Sequence, residues 1–372
     1  MTLLQKLGQF NWPLLALVLA VIGIGVAALF SAGGGGWSPY ANRQVMRVGL
    51  GLAVLMVIAL IDLKFWLKMS PLIWLGGVCL LIVVEFFGHT GMGATRWIDL
   101  HFMKLQPSEL MKIAVILALA RYYHGLSAEE VPKLHWLIPP ALIIGVPMAL
   151  VLRQPDLGTA LMIGMVGASM IFLSGIRWWQ IASVGTLAGI ALPFAWARLH
   201  DYQKQRVLTF MNPEEDPTGA GYHIVQSKIA LGSGGVEGKG FLKGTQIQLD
   251  FLPEAHTDFI FALWSEEWGF VGAVALIGLF LAICAYGYLI ALTSRSQFGR
   301  LLALGLTVNL FLYMFINMAM VMGLLPVVGV PLAMVSYGGT VMLTSLAGIG
   351  LMICVFIHRH TDLTRRSAYF RR

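Results

Sequence analysis

The tripeptide His256-Thr257-Asp258 places a carboxylate where a polar stretch, residues 198–258, gives way to a long apolar run. An acidic side chain at the point where a chain enters lipid is costly, so such residues usually serve a function. Aspartate is also a favoured helix N-cap, and Asp258 fits that structural role as well. Both interpretations can hold together, because a cap position also fixes the direction of a catalytic carboxylate.

A second charged group lies inside another apolar segment, residues 107–123. Glu109 and Lys112 are three residues apart and would share one face of a helix, with Pro107 suited to its first turn. They predict either an ion pair that neutralises itself or a functional pair, since charges within a span are usually functional. Arg96 lies in the polar loop that precedes them.

Two further polar segments, residues 153–159 and 323–340, join apolar runs. A short turn explains the first, with Asp156 or Thr159 capping the next helix. The second has no charge, two prolines and several glycines, and it predicts a re-entrant or tightly folded loop because such residues cannot continue a helix. The hydroxyl groups of that loop, before Thr340, belong to Ser336 and Tyr337.

The polar stretch 198–258 contains two more patterns. Apolar residues at helical spacing predict a short amphipathic helix at the membrane surface, with Gln226 and Lys228 facing elsewhere. Its apolar face would comprise Tyr222, Val225 and Ile229. The glycine-rich run 232–240 lacks the spacing of a phosphate loop. That loop needs four residues between its first Gly and a Gly-Lys pair, with Ser or Thr after the Lys. We expect a flexible loop near a substrate instead.

Composition indicates the class of protein that positions these clusters. Of 372 residues, 58% are hydrophobic and 12% are charged, whereas soluble proteins carry about 25% charged residues. Long apolar blocks predict an all-α polytopic membrane protein, a single integral domain over residues 1–372 in which residues 198–258 form an extracytoplasmic loop between the seventh and eighth helices. The ten predicted transmembrane segments are 13–32, 44–61, 71–88, 107–123, 135–152, 157–174, 177–197, 259–291, 300–322 and 341–358. The eighth is too long for a simple perpendicular helix, and Glu266 and Glu267 interrupt it, so we expect it to begin with a short separate turn or a bend.

The distribution of basic residues predicts the side of each loop. Five arginines follow His358, and the positive-inside rule places such a tail in the cytoplasm. An even number of spans puts both termini there and all four polar clusters on the outer face. The net charge of +7 suits anionic membrane lipids, and we expect no nucleic-acid partner.

Taken together and in order, these motifs resemble those of the SEDS family (shape, elongation, division and sporulation), and within it the RodA branch. The motifs that carry the likeness are Gln106-Pro107-Ser108-Glu109 with Lys112, residues 154–159, Gly221-Tyr222-His223 with Gln226-Ser227, residues 253–259, and Ser336-Tyr337-Gly338-Gly339. The runs 200–206 and 323–331 are more similar to the elongation branch than to the division branch. Ala333-Met334 and Thr340 depart mildly from the family pattern, which concerns the shape of the loop rather than the chemistry.

The resemblance implies a peptidoglycan glycosyltransferase that polymerises lipid II into β-1,4 glycan strands on the outer face, with undecaprenyl pyrophosphate leaving. It implies that Asp258 is the catalytic base, or the ligand of a divalent cation (Mg²⁺ or Mn²⁺), and that no organic cofactor is needed. The residues assigned to substrate binding are Lys112, Glu109, Arg96, Asp156, Lys104, Arg206, Lys228, Gln226, His256, Thr257, Ser336 and Tyr337.

The resemblance also implies partners and a location. These are a class B penicillin-binding protein transpeptidase, elongation-complex proteins, and the bacterial cytoplasmic (inner) membrane. Two alternatives differ in class. A lipid II flippase should carry polar residues through both halves of the bundle, and a non-catalytic cell-wall scaffold should tolerate the neutralisation of Asp258.

Overall fold

Long helices dominate the computed structural model, which describes residues 2–91, 94–99, 104–198, 204, 208–212, 220–249, 251–252 and 255–363. Within these residues, ten helices have sixteen residues or more, one for each predicted segment. They are α2 (Trp12–Ala32), α3 (Ala41–Leu60), α4 (Leu63–Phe87), α5 (Pro107–Gly125), α6 (Ile138–Arg153), α7 (Leu157–Leu173), α8 (Trp178–Arg198), α11 (Ile260–Thr293), α12 (Gln297–Val321) and α13 (Gly339–Ile357). Seven helices of the described chain are long and apolar enough to cross a membrane, so this is a multi-pass membrane protein.

Short elements fill the connections. They are α1 (Leu3–Gly8), a 3-10 turn (Leu134–Leu137), α9 (Ala220–Ser233), α10 (Thr245–Gln248), β1 (His89–Gly91), β2 (Ala94–Asp99) and β3 (Lys104–Leu105). The strands form an antiparallel sheet in the order β1-β2-β3. The fold is predominantly helical, as predicted, but the loop between α4 and α5 forms a small sheet that was not predicted from the sequence. Backbone groups there need partners, and Thr95, Trp97 and Ile98 are residue types that favour strands.

Helix α5 occupies the centre of the bundle. Every residue from Met111 to Ala120 is buried, against α4, α7 and α12. A helix surrounded by protein can carry polar groups that a lipid-facing helix cannot. This placement explains why α5 holds Glu109 and Lys112 and is not among the seven helices that are both long and apolar enough to cross a membrane.

Helix α11 is broken near its start, as the two glutamates within the predicted eighth segment indicated. Gly269 has φ 64° and ψ −162°, a conformation that is essentially restricted to glycine. The break leaves backbone groups that the preceding loop satisfies. Phe270 N–H donates to Gly235 O at 2.9 Å, and Lys239 N–H donates to Glu266 O at 3.0 Å. The glycine-rich run is thus fastened to the break, which contradicts the prediction that residues 232–240 form a flexible loop. Their proximity to a substrate stays a prediction.

The side chain of Glu266 completes this attachment. It is fully buried and accepts hydrogen bonds from Lys239 Nζ at 2.6 Å, Thr245 N at 3.0 Å and Gln246 N at 3.2 Å. Its neighbour Glu267 is also buried and accepts hydrogen bonds from Ser31 and from the Leu242 N–H. Both carboxylates therefore hold residues 239–246 to the helix break.

Glu266→Gln should loosen the loop. The amide leaves Lys239 without its counter-charge and presents an N–H₂ group to donors, so we expect a loss of about 3 kcal/mol in unfolding free energy. Thermal unfolding in detergent and proteolysis within residues 234–246 measure this. The control is Glu85→Gln, whose ion pair with Arg153 is 3.8 Å long and exposed and should contribute about 1 kcal/mol or less. Equal stability of the two variants would contradict the prediction.

Helix α9 forms where an amphipathic helix was predicted, and a face other than the predicted apolar one packs on the bundle. Ile224, Ser227 and Ala230 are buried, whereas Val225 and Ile229 are exposed. Ser227 Oγ donates to Val321 O at 2.9 Å, at the end of α12. The helix therefore docks on the bundle through Ile224, Ser227 and Ala230, and Val225 and Ile229 face away from it.

Candidate active site

The polar motifs meet at one end of the bundle. The N-terminal ends of α5, α7, α11 and α13 converge there, next to the C-terminal half of α12. Four hydrogen bonds join them: Gln106 N to Thr340 Oγ1 (3.1 Å), Gln106 Nε2 to Asp156 Oδ2 (3.1 Å), Tyr337 N to His256 O (2.9 Å) and Asn317 Nδ2 to Asp258 O (2.8 Å). Helix N-termini carry partial positive charge, so their convergence favours an anionic ligand.

The predicted pair Glu109 and Lys112 lies at the base of this site. Lys112 Nζ is 2.6 Å from Glu109 Oε1, and both side chains are at most 4% exposed. The hydroxyl of Tyr313 on α12 donates to Glu109 and accepts from Lys112. The ion pair is therefore real, and a third residue fixes its position.

Arg96 and Asp156 form the adjacent part of the site. Asp156 caps α7, as one interpretation predicted, and accepts from Thr159 N at 3.2 Å. Arg96 Nη1 lies 3.8 Å from Asp156 Oδ1, and its other nitrogens donate to the carbonyls of Gln154 and Pro155. This guanidinium is 28% exposed, so it combines a fixed position with access from outside.

Asp258 is half-buried and does not cap α11. The N-cap is Phe259, which makes no side-chain capping bond. The main chain here is fixed by Asn317 Nδ2, which donates to the carbonyls of Asp258 and Val330 at 2.8 Å. A Cβ placed on Gly329 would lie 3.6 Å from Asp258 Oδ2, so the carboxylate faces the loop between α12 and α13.

That loop is tightly folded, which confirms the prediction for residues 323–340. Residues 332–336 are buried, and Ser336 Oγ accepts from the Leu332 N–H at 2.8 Å. A Cβ on Gly158, at the start of α7, would lie 2.5 Å from Val328 O. The loop thus packs between α7 and Asp258, and Ser336 shapes it rather than presenting a free hydroxyl.

Aromatic rings and a cation line the side nearest α3. His256 stacks on Tyr40 at 4.4 Å, and Tyr337 lies 5.4 Å from Tyr40. The guanidinium of Arg47 sits 4.4 Å above the Tyr337 ring, and its Nη2 is 3.3 Å from the tyrosine hydroxyl. Such a surface suits a sugar or an anion at the membrane boundary.

The other predicted residues are more peripheral. Lys104 is exposed, and its carbonyl accepts from Thr340 Oγ1 at 2.9 Å. Lys228 is exposed on α9 and contacts Gly323, while Gln226 and Thr257 are half-buried. Arg206 lies outside the described residues.

Sequence reasoning missed four residues of this site, Tyr40, Arg47, Tyr313 and Asn317. The sequence does contain a pattern that could have indicated them. Tyr313 and Asn317 are polar residues four apart in an apolar span, and Tyr40 and Arg47 share the polar face at the start of α3.

A metal cage built from protein side chains does not fit this site. Among the described residues, no three His, Cys, Asp or Glu side chains come close enough to hold an ion. Mg²⁺ is commonly held by one or two carboxylates together with substrate phosphates. Asp258 could supply such a carboxylate if the substrate supplied the remaining oxygens.

The site therefore combines an accessible carboxylate, fixed cations and four converging helix ends. This arrangement can remove a proton from an acceptor and stabilise a departing phosphate group.

Comparison with known proteins identifies relatives along nearly the whole chain. Residues 11–361 match the family described as "Cell cycle protein", which groups FtsW, RodA and SpoVE. The chain is 42% identical over 347 residues to the peptidoglycan glycosyltransferase MrdB of Escherichia coli (strain K12), covering 93% of each protein. It also superimposes with a TM-score of 0.72 on RodA of Thermus thermophilus, at 28% identity over 95% of this chain and 98% of that one.

A second solved structure comes from work on the "structural coordination of polymerization and crosslinking by a peptidoglycan synthase complex". It superimposes with a TM-score of 0.82, at 31% identity over 95% of this chain and 99% of that one. Both the sequence match and the shared architecture extend over nearly the whole length. The chain therefore belongs to the FtsW/RodA/SpoVE family.

Proposed function

We propose that this chain is a peptidoglycan glycosyltransferase that polymerises lipid II during cell elongation. One observation carries the proposal. The carboxylate of Asp258 shares a cluster of helix ends with the cationic groups of Arg96 and Lys112. An acceptor base and a site for a pyrophosphate leaving group are the two functions that this transfer needs.

The family resemblance implies the reaction, and the positions of these residues suit it. The 4-hydroxyl oxygen of the acceptor sugar bonds to the anomeric carbon of the donor, and Asp258 takes the hydroxyl proton. The bond from that carbon to the pyrophosphate oxygen breaks on the opposite face, which inverts the configuration. Undecaprenyl pyrophosphate leaves with the electron pair, and its charge is offset by Arg96 and by the helix N-termini.

The remaining residues bind or position. Glu109 and Tyr313 hold the Lys112 ammonium in place. Asp156 pairs with Arg96 and accepts a hydrogen bond from Gln106, the residue just before α5. The exposed cations Lys104 and Lys228 are assigned to the phosphates, together with Arg206. The sugar-facing candidates are His256, Thr257, Gln226 and Tyr337, to which we add Tyr40 and Arg47 because they pack against His256 and Tyr337. Ser336, predicted to bind substrate, is given a positioning role in the loop instead.

The alternative role for Asp258 is that of a metal ligand: instead of acting as the base, it would hold a divalent cation, Mg²⁺ or Mn²⁺, that activates the acceptor, with pyrophosphate oxygens as further ligands. When bound, such an ion offsets phosphate charge. The residues described above supply the positioning, and no organic cofactor is required.

The proposed setting is the bacterial cytoplasmic membrane, crossed ten times, with both termini in the cytoplasm and residues 198–258 outside. Arg121 and Arg359, at the end of the bundle opposite the site, support this orientation under the positive-inside rule. Interfaces with a class B penicillin-binding protein and with elongation-complex proteins are also proposed. The similarity to a structure from work on a peptidoglycan synthase complex supports the first of these.

Cysteine labelling tests the orientation. In a chain whose native cysteines are replaced, Ser233→Cys and Ala128→Cys place thiols at exposed positions on opposite sides. A membrane-impermeant maleimide added to spheroplasts should label the first variant and should label the second after permeabilisation. The reverse pattern would invert the proposed topology.

The flippase alternative has less support from the described residues. Three acidic groups within helices outside the site have structural partners: Glu266 and Glu267 bind residues 239–246, and Glu85 pairs with Arg153. A scaffold would tolerate the neutralisation of Asp258, whereas the glycosyltransferase would not.

The function is tested by incubating the purified protein and its cognate transpeptidase with labelled lipid II and Mg²⁺. Glycan polymer that requires this chain would support the glycosyltransferase. A folded complex that makes no polymer, with lipid translocation in proteoliposomes, would move the assignment to a flippase. The absence of both activities would move it to a scaffold.

A further inference from the structure

A polar cavity lies at the end of the bundle opposite the candidate active site. Its volume is about 380 Å³, within the range of small-molecule sites. Helix α5 carries Glu109 in its first turn and His124, which lines the cavity, in its last. Helix α7 likewise runs from Asp156 in the site to Leu173 in the cavity wall. The two sites are therefore separated by the length of these helices, and the cavity takes no part in the proposed transfer.

Two arginines give this cavity its charge. Arg295 and Arg300 flank the start of α12, and both are exposed. Arg300 makes one long hydrogen bond, 3.5 Å, to the carbonyl of Ser294. Neither guanidinium lies within 4.0 Å of a carboxylate among the described residues, whereas Arg96 and Arg153 both form such pairs. Each guanidinium presents paired N–H donors whose geometry suits a phosphate, and two such groups line this cavity.

One acidic residue stands on the same cavity. Asp362, which follows α13, is exposed and lines it with the two arginines. A carboxylate there disfavours a ligand that is purely anionic. It favours a ligand that carries a cationic group a short distance from its phosphate.

The position of the cavity indicates that this ligand is a lipid. Ser174 lines the cavity just after α7 ends, and four residues later α8 begins with Trp178 and Trp179, which are 79% and 44% exposed. Exposed tryptophans mark the level of the membrane–water interface. The cavity therefore lies at the depth of phospholipid headgroups.

The cavity wall also suits an amphiphile. Leu173, Leu301 and Leu363 contribute apolar surface beside the hydroxyls of Ser174 and Ser296. Charged groups at the rim and leucines in the wall match the change from headgroup to glycerol and acyl chain.

We propose that this cavity binds the headgroup of an aminophospholipid from the adjacent leaflet. Arg295 and Arg300 bind its phosphodiester, and Asp362 accepts its primary amine. The proposal is independent of the glycosyltransferase assignment, because none of these residues belongs to the candidate active site.

Native mass spectrometry of the full-length protein in detergent tests this. Phosphatidylethanolamine and phosphatidylglycerol are titrated separately, and inorganic phosphate is added as a competitor. The test variant is Arg295→Gln with Arg300→Gln. The matched control is Lys64→Gln with Lys68→Gln, which removes two exposed charges from the same end of the bundle, where Arg121 Nη1 contacts Lys68 O.

We expect the arginine variant to bind phosphatidylethanolamine about tenfold more weakly or worse than wild type, since it loses charge-assisted bonds. The lysine control should keep wild-type binding, and both variants should keep wild-type thermal unfolding. Asp362→Asn should remove the preference for phosphatidylethanolamine over phosphatidylglycerol. Equal binding by the arginine and lysine variants would overturn the site. Displacement by millimolar phosphate, or no lipid preference in wild type, would overturn the aminophospholipid assignment.

Discussion

Asp258→Asn is expected to lower the rate of glycan polymerisation by about 10²–10⁴-fold, the usual contribution of a general base. The bundle should remain folded, because Asp258 does not cap α11 and its main chain is held through Asn317. Asparagine keeps the size of the side chain and loses the ability to accept a proton. Polymer length and yield from labelled lipid II, with Mg²⁺ and the cognate transpeptidase, provide the measurement.

Two control variants sharpen this result. Asp258→Glu keeps the carboxylate and should retain more activity than asparagine. The Asp258 side chain is only half-buried, so a longer side chain can be accommodated. Glu85→Gln neutralises an exposed carboxylate outside the cluster and should leave polymerisation unchanged. Wild-type polymer from Asp258→Asn would remove this carboxylate from the mechanism and favour a scaffold.

Lys112→Met is expected to damage both stability and activity. Removing one member of a buried ion pair leaves Glu109 charged and uncompensated, which costs about 3–5 kcal/mol. The Tyr313 hydroxyl remains as the partner of Glu109 and offsets part of this loss. Thermal unfolding in detergent and the lipid II assay measure the two effects.

The double variant Lys112→Met with Glu109→Gln separates the two roles of Lys112. It removes both charges, so it should recover most of the lost stability. We expect polymerisation to stay at least about 10²-fold below wild type, because the positive charge near the leaving group is absent. If activity returned together with stability, Lys112 would be a structural residue alone.

Features that depend on local spacing could be predicted from the sequence. The ten apolar segments all form helices, the Glu109–Lys112 pair follows from a three-residue spacing, and Asp156 caps the helix that begins one residue later. The break in α11 was indicated by the two glutamates within an overlong segment. Each depends on residues less than about two helical turns apart.

Features that depend on partners far along the chain could not be predicted. Tyr313 meets Glu109 across 204 residues, and Arg47 meets Tyr337 across 290. The docking of α9 illustrates the same limit, since the hydrogen bond from Ser227 to the Val321 carbonyl spans 94 residues.

The break at Gly269 has a consequence for biosynthesis. Residues 270–293 alone span about 36 Å as a helix, more than the hydrocarbon thickness of about 30 Å. The translocation machinery can therefore integrate this stretch without drawing Glu266 or Glu267 into the bilayer. Their partners, residues 239–246, emerge earlier from the ribosome. The hydrogen-bond donors of both carboxylates have therefore left the ribosome before the helix that carries the carboxylates is inserted.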